Sequence, residues 1–448
     1  MIPPKPRARE GRVSLWRYAR LFRDDILSAQ PARLYRAWMA EFRTPFFRSY
    51  LVNQPDLVKT VLKDRPRDFP KSDRVGEGLR PLLGESVFLT NGAVWERQRR
   101  IIDPAFEGGR LRDTFAPMWH AGEAAAARLA ARAGETVEIE EETSHAAADV
   151  IFRTLFSLPI QHETAQAVFH EFRAYQRSQP ILNLAALLPL PRWMPRLFRR
   201  DTRAAAARIR RLITDLTAAR MREIEAGTAP DDLATKIMTT PDPQTGGTFS
   251  TEEMVDQVAI FFLAGHETSA SALAWALYLC ATHPDWQQRV AEEARALTGE
   301  ASDMSRLRVS RDVFREALRL YPPVPMMVRE TTCPERFRDR ALPKGAQVVL
   351  SPWHLHRHER LWDDPDRFDP ARWGTENGRS CGRDAYIPFS AGARVCPGAG
   401  FAMLEGPLLL ALILRDLRVA PVETHVPEPV AHLTVRARDG IHLRVARR

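Results

Sequence analysis

The stretch from Ser250 to Thr282 contains no proline, and its later half, ALAWALYL at 272–279, is apolar on most sides. Ser250 and Glu253 form an S-x-x-E capping box, so a helix is predicted to begin at Ser250 and run to about Thr282. A helix of about thirty residues with apolar surface nearly all round has to be wrapped by other elements, so it is expected to cross the core. The 448 residues suffice for a large core, and 44% apolar with 27% charged residues describe an ordinary globular chain.

Around this helix the chain reads as mainly α with small β-sheets. A helical stretch over roughly 14–40 precedes the strand-like RSYLVN at 48–53 and the Gly/Pro-rich loop at 74–86. Residues 93–240 read as successive amphipathic helices, broken by PILNLAALLPLPRWMP at 180–195, where the prolines forbid one regular helix. That segment suits a buried lid or a contact with membrane. Two helices follow His283-Pro284 and end at LYPPVP, 320–325. Alternation around Asp439-Gly440 predicts a closing β-hairpin. With no repeat and no linker, a single domain over 1–448 is expected.

The net charge is +9, with arginines spread along the chain rather than gathered in one tail interleaved with aromatics, so no nucleic-acid partner is expected. The N-terminus lacks the apolar run of a signal peptide or membrane anchor, which predicts a cytoplasmic protein. Cys280, Cys333, Cys381 and Cys396 are far apart, which argues against disulfides and a structural zinc site. His354, His356 and His358 would share one face of a strand, a zinc-like pattern, but a second metal site is not expected there.

Cys396 is different from the other three. It sits in SAGARVCPGAG, where Gly392 and Gly398 permit positive φ on either side, and Pro397 suits the first position of the apolar helix that follows. Loop amides and the positive end of that helix favour a thiolate, either a metal ligand or a nucleophile, and spacing alone leaves both open.

The whole segment from Phe389 to Gly398 resembles the haem-thiolate loop of the cytochrome P-450 family, F-x-x-G-x-R-x-C-x-G, with every fixed position filled. Phe401, Ala402 and Glu405 stand where that family places F-A-x-x-E. Gly406-Pro407 inside the same helix is unusual for it. AGHETS at 264–269 resembles its oxygen-activation motif. FREALR supplies Glu316 and Arg319 of an E-x-x-R pair, FDPARW supplies the third member, Arg372, and WERQRR supplies Trp95 and Arg99 of W-x-x-x-R.

The resemblance implies a cytochrome P-450 fold with haem b between the Ser250 helix and the cysteine loop, and Cys396 as iron ligand. Phe389, Gly392, Gly398 and Ala264 would border the haem. Arg394, Arg329, Trp95 and Arg99 would meet its propionates, with Arg97 or Arg100 as substitutes for Arg99. Glu267 and Thr268 would deliver protons, beside a Gly265 that weakens the helix. Glu316, Arg319 and Arg372 would brace the loop. Substrate would lie against the 74–90 loop, the 180–195 segment, Phe261 to Thr268, Val324 to Val328, and Leu433. The implied reaction is monooxygenation of a hydrophobic small molecule, such as a fatty acid or terpenoid, by O2. Electrons would come from a separate ferredoxin or flavodoxin with its NAD(P)H-dependent reductase, docked by charge on the cysteine side of a monomer. No fused reductase is expected. A same-fold peroxygenase and a non-enzymatic haem sensor are the alternatives, and the acid–alcohol pair favours O2. A cysteine hydrolase would carry no haem.

Overall fold

The capping box closes in both directions: the Glu253 amide donates to Ser250 Oγ at 3.2 Å and the Ser250 amide donates to Glu253 Oε2 at 2.9 Å. The structure, a computed structural model, describes residues 2–11, 13–43, 48–178, 200–431 and 433–448, so the 180–195 segment lies outside the described residues. Its helices of eight residues or more are α1 (Leu15–Asp24), α2 (Gly92–Ile102), α3 (Phe115–Ala131), α4 (Ile139–Phe156), α5 (Glu163–Ser178), α6 (Arg200–Glu225), α7 (Thr251–Thr282), α8 (Pro284–Arg295), α9 (Arg308–Leu320), α10 (Glu376–Asp384) and α11 (Ala399–Asp416). The capped helix is thus α7, unbroken to Thr282. No helix among the described residues is long and apolar enough to cross a membrane.

The strands are β1 (Met39–Arg43), β2 (Arg48–Val52), β3 (Thr136–Glu138), β4 (Met327–Glu330), β5 (Glu335–Phe337), β6 (Arg340–Leu342), β7 (Gln347–Leu350), β8 (Leu417–Pro421), β9 (Pro429–Ala431), β10 (Val435–Ala437) and β11 (His442–Arg447). They form a four-stranded sheet in the order β1-β2-β7-β4, a three-stranded sheet β3-β11-β8, and the pairs β9-β10 and β5-β6. In the largest sheet β2 and β7 run parallel, with Ser49 opposite Gln347 and Val52 opposite Leu350.

Two local expectations change. The helix read over 14–40 stops at Asp24. Pro31 then opens a short 3-10 turn, Ala32–Tyr35, and β1 begins at Met39. The Asp439-Gly440 turn does not join a hairpin, because β10 pairs with β9 while β11 pairs with β3 and β8. Gly440, at φ +77°, carries the chain from one sheet to another, and the Ile441 amide is caught by Glu138 Oε1 at 3.3 Å. Alternation reports exposure on two faces, and it cannot say which neighbour a strand takes.

Two compact units divide the chain. One is Met1–Pro70, Trp119–Ala146 and Thr268–Arg448, and the other is Lys71–Met118 and Ala147–Glu267. In the first, Tyr50, Phe69, Val348, Leu350 and Trp362 belong to one buried cluster. Glycines there let helices close up. A Cβ on Gly406 would stand 2.1 Å from the Phe314 ring of α9, and one on Gly122 would stand 2.5 Å from Leu412. Pro407 is accommodated inside α11.

Candidate active site

Cys396 sits between a 3-10 turn, Gly392–Arg394, and the start of α11, with its side chain exposed. Its amide donates to the Phe389 carbonyl at 2.9 Å, and the Val395 amide donates to the Gly392 carbonyl at 3.0 Å. Gly392 has φ +66°, and a Cβ there would lie 1.9 Å from the Leu62 carbonyl oxygen, so the position admits only glycine. The second left-handed residue is Ser390, at φ +63°. Gly398 is instead the N-cap of α11 at φ −81°, which places Pro397 before the helix rather than in its first turn. The reversal is completed ahead of the cysteine. Beyond it the chain enters the helix directly, with the Ala402 amide donating to the Gly398 carbonyl at 2.9 Å. By contrast, burial pushes the thiols of Cys280 and Cys381 up to about 12 and about 11, which suits inert core residues.

Between α9 and a 3-10 turn at Pro370–Gly374 lies a buried ionic cluster. Arg319 Nη2 and Nε donate to the two oxygens of Glu316 at 2.7 and 3.0 Å, and Arg372 Nε donates to Glu316 Oε1 at 3.2 Å. The Asp369 amide adds a further bond to the same oxygen at 3.1 Å. The spare guanidinium protons go to the carbonyls of His356, Pro365 and Arg367 from Arg319 and of Asp364 from Arg372. Fully paired buried charge of this kind fixes geometry, since removing any member strands the others.

On α7, every residue from Met254 to Ala281 is buried except Phe261, Ala264, Gly265 and Thr268. Their spacing puts all four on one helix face. Gly265 serves close packing rather than a break in the helix: a Cβ there would stand 2.5 Å from Ile151 Cδ1 of α4. Glu267 is buried, and its charge adds to burial in raising the phenol of Tyr175 from α5. Ser269 Oγ donates to Glu405 Oε2 of α11 at 2.6 Å, while Glu405 Oε1 is buried with no partner among the described residues. Burial pushes Glu405 up to about 8, so it keeps its proton at neutral pH. Sequence reading noted Glu405 by position but gave it no role. An acidic residue in an apolar helical run is the signal that flags it.

The arginines divide by partner. On α2, Arg97 Nη1 donates to Glu253 Oε1 at 2.6 Å and Arg100 Nε to Asp242 Oδ1 at 2.6 Å. Arg99 lies on the half-buried face with Trp95, four residues away, and pairs with Asp103 at 2.7 Å. Arg394 ends the 3-10 turn of the loop. Arg329 on β4 is buried; its one hydrogen bond among the described residues is to the Val328 carbonyl at 3.3 Å, and burial pulls its guanidinium down to about 10. A buried cation so poorly satisfied calls for an anion. With the presented Cys396 thiol, it fits a haem bearing iron and propionates.

The three histidines are not on a strand. His354 lies in a short helix, Pro352–Leu355, His356 caps its end and His358 follows; all three are buried, and burial holds them down at about 3, 3 and 4. His354 meets Ser351 Oγ at 2.8 Å, His356 Nε2 accepts from the Ile387 amide at 2.9 Å, and His358 stacks on Trp38. No metal-binding group of three side chains occurs among the described residues.

The expected substrate-facing residues are apolar and accessible. Val324 and Leu433 are 37% and 42% exposed, and Val328 is half-buried. The first two are held at one corner, because the Val435 amide donates to the Pro323 carbonyl at 2.9 Å and Ser271 Oγ of α7 donates to the Val435 carbonyl at 2.5 Å. In the other unit, Phe261 packs against Phe106 with ring centres 5.9 Å apart. The 74–90 stretch, expected as a loop, carries short helices at Asp73–Gly76 and Arg80–Leu83 and is pinned to α7 by Asp256, which accepts from the Glu85 amide and from Arg210 Nη1 of α6, both at 2.7 Å.

A cysteine thiolate is one of the ligands through which a protein holds a haem iron. The comparisons make that class specific. A family model described as Cytochrome P450 matches residues 41–443, and the chain belongs to the cytochrome P450 family. It is 33% identical over 419 residues to the cyclooctat-9-en-7-ol 5-monooxygenase of Streptomyces melanosporofaciens, covering 92% of this chain and 87% of that one. It is 30% identical to cytochrome P450 4A10 of Mus musculus, covering 88% and 81%. The crystal structure of the cytochrome P450DA haem domain superposes with TM-score 0.82 at 25% identity, covering 100% of this chain and 98% of that one. The cofactor is therefore haem b and the protein is a monooxygenase.

Proposed function

We propose that the protein inserts one oxygen atom from O2 into a C–H bond or double bond of a hydrophobic small molecule, in the cytoplasm, with electrons supplied by a separate ferredoxin or flavodoxin. The observation that carries this reading is the acid–alcohol pair on α7: Thr268 lies on the one accessible face of a buried helical stretch, with Glu267 buried next to it. Cys396 would hold the iron, while Arg329, Arg394, Arg99 and Trp95 would hold the propionates. Bound haem supplies the reduction of O2 and the transfer of oxygen to carbon. Thr268 would hold a proton at its hydroxyl on the accessible face, and the Glu267 carboxyl would replace it, the general-acid task that O2 cleavage requires and peroxide use does not.

The substrate is read as fatty-acid-like or terpenoid. Val324, Val328, Leu433 and Phe261 support this, as do a relative named cyclooctat-9-en-7-ol 5-monooxygenase and the accessible apolar corner at Pro323. The absorption spectrum of the reduced, CO-bound protein tests the thiolate. A red-shifted Soret band is expected, and an unshifted one overturns the assignment of Cys396. Substrate-dependent consumption of reduced cofactor with O2, and not with peroxide alone, separates the monooxygenase from a peroxygenase or a sensor. Docking of an acidic electron donor by charge predicts turnover that falls as ionic strength rises.

A further inference from the structure

Arginines occur throughout the chain, but the acids that balance them do not. The first 48 residues hold eleven basic and four acidic side chains, a net of seven, whereas the remaining 400 hold 54 basic and 52 acidic. Most of the +9 charge is therefore an N-terminal property. Part of it is met by acids from elsewhere, Lys5 by Asp366 and Arg36 by Glu359, and part is displayed on α1 and the surface beside it. Tyr18 and Phe22 turn inward on α1, and Tyr18 stacks near Phe42 of β1 with ring centres 6.4 Å apart. The opposite face carries Trp16, Arg17, Arg20 and Arg23. Trp16 is 89% exposed, the most exposed large apolar side chain of the protein among the described residues. At helical spacing Trp16, Arg20 and Arg23 line up, with Arg17 alongside. Arg17 and Arg20 have no carboxylate partner among the described residues, while Arg23 has only Asp24, at 3.8 Å.

Beside α1 lies a groove of about 870 Å³, lined by Arg9, Arg33, Arg43 and Arg340 with Glu10 and Glu41. Glu41 is shared by Arg43, at 2.7 Å, and Arg340, at 3.6 Å, and Arg340 also meets Asp339 at 3.5 Å, which leaves Arg9 and Arg33 against Glu10. The groove therefore keeps a positive excess next to the exposed tryptophan.

We propose that α1 and this groove dock the protein on the surface of an anionic phospholipid membrane, with α1 lying in the interface plane. An indole sits well at headgroup depth, apolar body inward and N–H toward water, and arginines flanking it reach phosphates through long flexible stems. A ten-residue helix is about 15 Å long, too short to span a bilayer and suited to lie on one. An acidic protein would satisfy the charge, but it gives no reason for a tryptophan left bare among the arginines. The docking site is built from α1 and from a groove that includes Arg9, Arg33, Arg43 and Arg340, and it contains none of the residues assigned to the reaction.

The test is co-sedimentation of the full-length, haem-loaded protein with vesicles of phosphatidylcholine alone or with about a third phosphatidylglycerol. Binding is expected on the anionic vesicles, at least about tenfold tighter than on the neutral ones, and lost as salt rises from about 0.1 M to about 1 M. Trp16→Ala and the double variant Arg17→Gln/Arg20→Gln are each expected to weaken it. The arginine pair should cost more than tenfold, at about fivefold per arginine near a charged surface. The CO spectrum should be unchanged in both. No vesicle binding, equal binding to neutral vesicles, or anionic binding untouched by both variants overturns the proposal. So does the case where the arginine variant weakens only the complex with an acidic electron-transfer protein.

Discussion

Ser269 Oγ donates to Glu405 Oε2 at 2.6 Å, tying α7 one residue beyond Thr268 to α11 nine residues beyond Cys396. The contact joins two motifs that lie 136 positions apart in sequence. It is made by a carboxyl that burial holds up at about 8.

That elevated value has a definite sign in stability. Below about pH 4 the folded and unfolded chains both hold the proton. As pH rises the unfolded chain releases it first, so the favourable contribution of Glu405 declines and is gone above about 8. Glu405→Gln should keep the bond to Ser269 and flatten this decline. Thermal unfolding from pH 5 to 8 should show a Tm that falls more steeply in the parent, by a few degrees, at about 2–4 °C per kcal/mol or less for a chain this long. Parallel curves would mean that Glu405 is ionised throughout.

Removing the hydroxyl of Thr268 should cost coupling more than binding. In Thr268→Ala, substrate should still shift the spin state of the ferric iron, while product formed per reduced cofactor falls at least about tenfold. Coupling retained without the hydroxyl would exclude it from proton delivery.

Glu316 holds two buried guanidinium groups, so its loss leaves both uncompensated. Glu316→Ala is expected to destabilise by about 3–5 kcal/mol and to yield little haem-loaded protein. Arg372→Lys, which keeps the charge but not the fork of donors, should be intermediate in urea unfolding. Parent-like midpoints for both would show that the cluster carries no weight.

The approach of α9 to α11 depends on the absence of a side chain at Gly406. Gly406→Ala sets a methyl against the Phe314 ring and is expected to cost about 1–3 kcal/mol. Phe314→Leu in that background should restore part of the loss. If the two losses simply add, the contact is not the cause.

Much of the site was legible because it is written in local chemistry. A capping box is an exchange between residues three apart, and Ser250 and Glu253 make it as read. The turn ahead of Cys396 needs a left-handed residue, and Gly392 is where glycine stands. Glu316 and Arg319 share a helix turn, so their pairing follows from spacing alone. Where one local rule had two solutions, the reading missed. Ser390 took the second left-handed position rather than Gly398, and the Asp439-Gly440 turn passed between sheets rather than closing a hairpin.

The sequence by itself therefore determined the chemistry the chain can carry: a thiol in a glycine turn, an acid and an alcohol in a long apolar helix, and the order in which they come. The tertiary structure decided which of these groups water can reach and which charges stay unmet. The accessible face of Phe261, Ala264, Gly265 and Thr268, the neutral carboxyl of Glu405, the poorly satisfied Arg329 and the bare Trp16 all depend on what packs from distant parts of the chain. Desolvation is a property of the whole surround, and no window of neighbouring residues encodes it.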